Sequence, residues 1–122
     1  MRDFLSFRNS FGKTVRVDVK DIAYFKADLK YIVMYYGDGK EGLLPLPTTI
    51  RELEKEFCPH LFLRVHRNAL VATRVISNIA PESGKVSYTI MMNDLIHQKC
   101  YWTELSKRNV SKIKQWLKEG KL

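Results

Sequence analysis

The sequence predicts a mainly β domain with one short inserted helix and a second helix at the C-terminal end. Most of the chain consists of short segments that alternate apolar with polar residues or are rich in β-branched and aromatic residues, as strands are. Turn-forming residues separate these segments. Two other segments space their apolar residues at helical intervals instead. The 122 residues are enough for one domain with its own core, and we expect residues 1–122 to form it.

Four strands are predicted in the first half of the chain. The first of them alternates, with Val15, Val17 and Val19 on one face. The third, YIVMYY, is rich in β-branched and aromatic residues, and Gly-Asp-Gly at residues 37–39 then predicts a hairpin turn. The predicted strands are residues 13–19, 21–27, 31–36 and 41–46.

The second half continues as strands. Residues 64–66 alternate and Ala69, Leu70, Val71 and Ala72 form an apolar run, so a turn is expected between them. Further turns are predicted at residues 81–84, Pro-Glu-Ser-Gly, and at residues 93–94, Asn-Asp. The strands that these turns delimit are residues 74–80, 85–92 and 95–101.

Two helices are predicted from helical spacing. The first is residues 48–57, with Thr48 or Thr49 as its N-cap. Its apolar positions are Ile50, Leu53 and Phe57. The second is residues 106–119, with Gly120 as its stop signal. Its apolar stripe is Val110, Ile113 and Leu117.

The charge of the chain is concentrated in its second half. Residues 1–59 carry ten Lys and Arg against nine Asp and Glu, whereas residues 60–122 carry eleven against four, and the total is +8. This asymmetry indicates a polyanionic partner, nucleic acid or an anionic membrane surface, although a solubility function is equally compatible with charge alone. No apolar run approaches the roughly 20 residues of a membrane helix, and the N-terminus lacks a signal-peptide core. We expect a cytoplasmic protein without membrane association.

Catalysis and cofactor binding find little support. The chain has no glycine-rich phosphate loop, no GxSxG elbow and no HExxH motif, so we expect no enzyme activity and no cofactor. Cys58 and His60, with His97 and Cys100, are residue types that zinc prefers, but their spacing is unusual. We therefore predict free thiols and no metal site.

Basic residues at the start of the second helix are the stronger indication of function. Lys107 and Arg108 lie near its first turn, where the helix dipole disfavours cations. A contact with phosphates or base edges would offset that cost, because Arg matches guanine and Asn matches adenine. A solvated helix face is the alternative reading. The pair at residues 67–68, Arg-Asn, repeats this chemistry. The loop at residues 27–31, with Lys26, Asp28 and Lys30, offers a weaker third instance.

Three segments resemble the LytTR DNA-binding domain, and within it the AlgR-like response regulators. They are IAYFKADLKY at residues 22–31, FLRVHRNALV at residues 62–71 and SKRNV at residues 106–110. The resemblance extends over residues 13–117. It implies an elongated, mainly antiparallel β fold that inserts loops into double-stranded DNA, as the output module of a transcriptional response regulator.

The resemblance also implies that the loop around Tyr31, the turn at residues 66–68 and the segment at residues 107–109 form the contact surface. The order of residues along the last segment suggests how its contacts divide between bases and phosphates. We expect Arg67 to contact DNA, Arg108 to reach a base edge and Lys112 to meet only phosphate, whereas His66 either contacts DNA or holds its turn by hydrogen bonds. The DNA-binding residues that we predict are Lys30, Tyr31, His66, Arg67, Asn68, Ser106, Lys107, Arg108, Asn109 and Lys112.

Promoter sites in paired repeats, bound by a homodimer, are the partner that the family implies. Two other classes remain open. An RNA or single-strand binder would use exposed tyrosines, among them Tyr31, Tyr35 and Tyr36, to stack on bases. A protein-interaction module would instead offer an open sheet edge.

Overall fold

The computed structural model describes residues 3–44, 48–57, 59–81 and 87–119. It contains three antiparallel sheets, a short inserted helix and a C-terminal helix, which confirms the predicted fold class. The strands are β1 (Phe4–Arg8), β2 (Thr14–Asp18), β3 (Ile22–Asp28), β4 (Tyr31–Tyr36), β5 (Lys40–Leu44), β6 (Phe62–His66), β7 (Ala69–Ala72), β8 (Ile76–Pro81), β9 (Tyr88–Asp94) and β10 (Lys99–Leu105). The helices are α1 (Ile50–Glu56) and α2 (Val110–Lys118).

The central sheet has five strands in the order β5-β4-β3-β7-β6. Its middle strand β3 is flanked on both sides, and Ile22, Ala23 and Phe25 on it are fully buried. The β4–β5 hairpin turns at residues 37–39, as the sequence predicted, and Gly37 and Gly39 adopt positive φ there. The pairing of β6 with β7 shifts by one residue between Arg64 and His66, so Val65 forms a bulge beside the turn that follows.

The other two sheets extend the core. One is the β1–β2 hairpin, and the other has three strands in the order β10-β9-β8. Leu5 and Phe7 from β1 and Ile90 and Met92 from β9 join the central-sheet residues in one buried cluster. No helix in the described part of the chain is long and apolar enough to cross a bilayer.

The two helices close the core by their apolar stripes. In α1, Thr49 is the N-cap, because its hydroxyl accepts a 3.1 Å hydrogen bond from the Glu52 amide. In α2, Val110 and Ile113 are buried and Leu117 packs against the cluster, as predicted. The expected stop at Gly120 lies outside the described residues.

Several predicted boundaries were wrong. Strand β1 was not predicted, and the last hairpin turns at residues 95–98 rather than at 93–94. Asp94 is the last residue of β9, and its buried carboxylate accepts hydrogen bonds from Arg74 and from the amide of His97 in the turn that follows. The second helix begins at Val110 instead of Ser106, since residues 107–109 form a separate 3₁₀ turn. The turn expected at residues 81–84 lies largely outside the described residues.

Candidate nucleic-acid interface

Two hairpin turns lie side by side at one end of the central sheet. Strands β3 and β7 are neighbours, and Lys26 pairs with Ala69. Beyond that pair, the amide of Ala27 donates a 2.8 Å hydrogen bond to the carbonyl oxygen of Asn68. The last part of β3, which leads into the β3–β4 turn, is therefore hydrogen-bonded through its backbone to the β6–β7 turn.

The segment before α2 joins these turns from the other side of β6. The amide of Ser106 donates a 2.9 Å hydrogen bond to the carbonyl oxygen of Val65, the bulged residue. The 3₁₀ turn Lys107–Asn109 follows at once. All three predicted contact segments thus meet at one end of the sheet, although they are far apart in the sequence.

A polar cavity of about 430 Å³ lies between the β6–β7 turn, α1 and the start of α2. Four of its lining residues are Arg or Lys, and one is acidic. The lining residues are Glu54, Arg64, His66, Arg67, Ser106, Arg108, Asn109 and Lys112. A concave surface with this excess of cations attracts phosphate groups.

Arg64 was not predicted as a site residue, yet it organises the β6–β7 turn. Its guanidinium donates to the carbonyl oxygens of His66 at 2.9 Å and of Arg67 at 2.6 Å. A third contact, 3.2 Å long, reaches the carboxylate of Glu54 on α1. The strand alternation gave Arg64 no special status, because these acceptors become visible only once the turn and α1 are in place.

His66 stabilises its own turn. Its Nδ1 accepts a 3.1 Å hydrogen bond from the Asn68 amide, which places the proton of a neutral ring on Nε2. Nε2 lies 3.4 Å from the carboxylate of Glu104 on β10. Of the two roles left open for His66, the structure therefore contains the turn-holding one.

The remaining predicted residues differ in how free they are. Lys30, Tyr31, Arg67, Asn68, Lys107 and Arg108 are exposed. Asn109 donates a 2.7 Å hydrogen bond to the hydroxyl of Ser106, so these two side chains support the 3₁₀ turn. Arg108 lies in that turn, not inside the helix as expected.

Lys112 is held more tightly than the sequence suggested. Its ammonium donates a 3.0 Å hydrogen bond to the carbonyl oxygen of Arg64. Although Lys112 is exposed overall, partial burial of its ammonium lowers the pKa of this group from its ordinary value. Since an ammonium carries three donors, two are left to contact a phosphate while this bond persists.

Most tyrosines proposed for base stacking are engaged within the domain. The rings of Tyr24 and Tyr35 stack at 4.3 Å, and Tyr36 meets Phe7 edge to face at 5.9 Å. Tyr31 is the exposed one of the three candidates, at 49%. The single-strand alternative therefore loses two of its three stacking residues.

Of the residues weighed for zinc, His97 is engaged by carboxylates within the domain. Both ring nitrogens of His97 face carboxylates, Asp94 at 2.9 Å and Asp21 at 3.2 Å. Cys100 is an exposed free thiol. Cys58 lies outside the described residues, so the absence of a disulfide and of zinc stays a prediction.

Comparison with known proteins gives a consistent result. A solved LytTr DNA-binding domain of a methyl-accepting/DNA response regulator from Bacillus cereus superimposes with a TM-score of 0.76, covering 96% of this chain and 98% of that one at 17% identity. The positive alginate biosynthesis regulatory protein of Pseudomonas aeruginosa is 36% identical over 78 residues, which are 64% of this chain and 29% of that regulator. The family model of the LytTr DNA-binding domain matches residues 12–118. The chain belongs to the LytTr DNA-binding domain family.

Proposed function

We propose that this domain binds double-stranded DNA sequence-specifically, as the output module of a bacterial-type transcriptional response regulator. The observation that carries the proposal is the convergence of three basic segments at one end of the central sheet. The β3–β4 turn, the β6–β7 turn and the 3₁₀ turn before α2 lie at that end of the sheet, and we infer that together they enter a DNA groove. Loops, rather than a recognition helix, would then read the major groove.

The candidate side chains fall into three groups according to their exposure, their chemistry and their hydrogen bonds within the domain. Arg67 and Arg108 are exposed on backbone held by other residues, which suits a bidentate contact with a guanine edge. Lys30, Lys107 and Lys112 suit phosphates, because an ammonium is a compact charge without a fixed fork. His66, Ser106 and Asn109 would support the turns that present them.

Binding selection from random duplexes tests this proposal. We expect one sequence family to be enriched and to bind more tightly than random duplex or its own single strand. Affinity should fall with salt by a slope of about −0.9 in log K for each phosphate contacted. Selection that enriches no duplex, or tighter binding to the single strand, would contradict it.

Substitutions then separate base reading from phosphate binding. Arg67→Ala and Arg108→Ala should each cost about 1–3 kcal/mol on the selected duplex and relax its sequence preference. Arg51→Ala is the matched control, since Arg51 is an exposed arginine on α1. If a variant loses the same factor on every duplex, that arginine binds phosphate.

We further propose that two copies bind paired repeats on one face of the DNA. Such repeats lie about 10 base pairs apart or at multiples of that spacing. Inserting about five base pairs would move one repeat to the opposite face, and should abolish the advantage of the pair over a single site. Unchanged affinity after the insertion would argue against a homodimer on DNA.

A further inference from the structure

The turn between β3 and β4 carries an apolar residue in a strained conformation. Asp28 pairs with Tyr31, so Leu29 and Lys30 form the whole turn. Leu29 has a φ of 49°, in the left-handed region. Two-residue hairpin turns that need positive φ normally hold asparagine, aspartate or glycine, because a larger side chain is strained there. The backbone conformation at residue 29 therefore disfavours the leucine that the sequence has there.

Burial does not offset this strain. The relative exposure of Leu29 is 103%, the highest among the large hydrophobic residues that the structure describes, and Phe11 follows at 86%. An apolar side chain that is both strained and fully hydrated contributes nothing to the stability of the free domain. Strain of this kind is typical of residues that act on a partner.

The position of Leu29 indicates which partner. The adjoining strand residue Ala27 is hydrogen-bonded to Asn68, so the Leu29 turn lies beside the turn that carries Arg67. Its neighbours Asp28, Lys30 and Tyr31 are exposed and polar. Leu29 is thus an apolar point within the surface proposed to enter DNA.

We propose that Leu29 is a specificity-determining residue that packs against the C5-methyl group of a thymine in the major groove. A leucine side chain has no donor or acceptor, so phosphate and the polar base edges offer it nothing. The thymine methyl is the apolar feature of that groove. The inference rests on the proposed DNA-binding function and adds to it a base preference that hydrogen bonds alone do not supply.

Deoxyuridine substitution tests the contact, because it removes only the methyl group. Each thymine of the duplex selected by the parent protein is replaced singly by deoxyuridine, and binding is measured by fluorescence anisotropy. With the parent protein, one replacement should lower affinity by about fourfold, the value of one buried methyl group. With Leu29→Ala, affinity for the unmodified duplex should be lower, and the same replacement should have no further effect.

Two further variants make the result decisive. Leu29→Gly removes the strain at positive φ, so it should melt at or above the parent temperature and still lose the methyl effect. Phe11→Ala, an equally apolar change in the exposed β1–β2 turn, should retain the parent pattern. Two outcomes would show that the methyl contact is wrong while DNA binding stands. Either both Leu29 variants keep the parent affinity for the unmodified duplex, or no single deoxyuridine replacement affects the parent protein more than it affects these variants. Failure to select any duplex would overturn DNA binding itself and this contact with it.

Discussion

The guanidinium of Arg64 donates a 2.6 Å hydrogen bond to the carbonyl oxygen of Arg67, three residues further along the chain. One arginine thus fixes the backbone that presents another. The same guanidinium binds the carbonyl oxygen of His66, and Glu54 on α1 holds it in place at 3.2 Å. The turn is therefore ordered in the free domain, so less conformational entropy is lost when it binds a partner.

Loss of Arg64 should impair both the fold and DNA binding. Arg64→Met removes three charged hydrogen bonds while keeping much of the aliphatic side chain, and should lower the free energy of unfolding by about 1–3 kcal/mol. Affinity for the selected duplex should fall about tenfold as the turn becomes less ordered. Urea denaturation and anisotropy measure the two effects, and Arg51→Met is the control. If the Arg64→Met protein folds and binds the selected duplex with the parent affinity, Arg64 contributes to stability and not to DNA binding.

Lys112 should affect stability as well as binding. Lys112→Met loses the hydrogen bond to the Arg64 carbonyl oxygen, which should cost about 0.5–1.5 kcal/mol of unfolding free energy. The affinity for the selected duplex and for random duplexes should fall by the same factor, and the slope of log K against log salt should become shallower by about 0.9. Lys114→Met, a change at an exposed position of α2, should leave the melting temperature unaltered. An unchanged salt slope for Lys112→Met would exclude a phosphate contact there.

Acid should destabilise the domain partly through Asp94. Burial by itself raises the pKa of this carboxyl, but hydrogen bonds from Arg74 and His97 outweigh it and hold the pKa below its usual value. Because the folded pKa is the lower one, the stabilisation is complete above the unfolded value of about 3.9 and is lost as pH falls through the folded value.

Asp94→Asn should therefore reduce the unfolding free energy at neutral pH by about 1.5–3 kcal/mol and flatten its decline below about pH 4. Urea denaturation between neutral pH and about pH 2 measures this. Asp38→Asn, at a largely exposed carboxylate, should retain the parent pH profile. An Asp94→Asn protein with that same profile would refute the assignment.

Gly42 should resist enlargement because of Phe7. A Cβ atom at residue 42 would lie 2.7 Å from the Phe7 ring, where β1 packs on β5. Gly42→Ala should cost about 1–3 kcal/mol by overpacking. Combining it with Phe7→Leu should restore part of that loss, which a double-mutant cycle in urea denaturation detects. Strictly additive losses would show that the alanine is accommodated elsewhere.

Local patterns were sufficient where the determining interactions span a few residues. The strand Tyr31–Tyr36 has its predicted bounds because its β-branched and aromatic residues end at a glycine turn. The cap at Thr49 and the apolar stripe of α2 follow equally from short spacings. The sequence also identified Arg67 and Arg108 as candidates, since Arg67 lies beside the apolar run of residues 69–72 and Arg108 near the predicted start of the second helix.

Tertiary structure decided what depends on distant partners. Strand β1 was not predicted because it depends on tertiary contacts: it pairs with β2, and its Phe7 ring packs against Gly42. Asp94 has the sequence signature of a turn residue, but its complete burial and its hydrogen bond from Arg74 depend on a partner 20 residues away in the chain. Neither the role of Arg64 nor the hydrogen bond that places the β3–β4 turn beside the β6–β7 turn follows from sequence. Both involve hydrogen bonds between elements that are distant in the sequence. Packing of the whole core brings these elements together, and the period of any one segment does not reveal it.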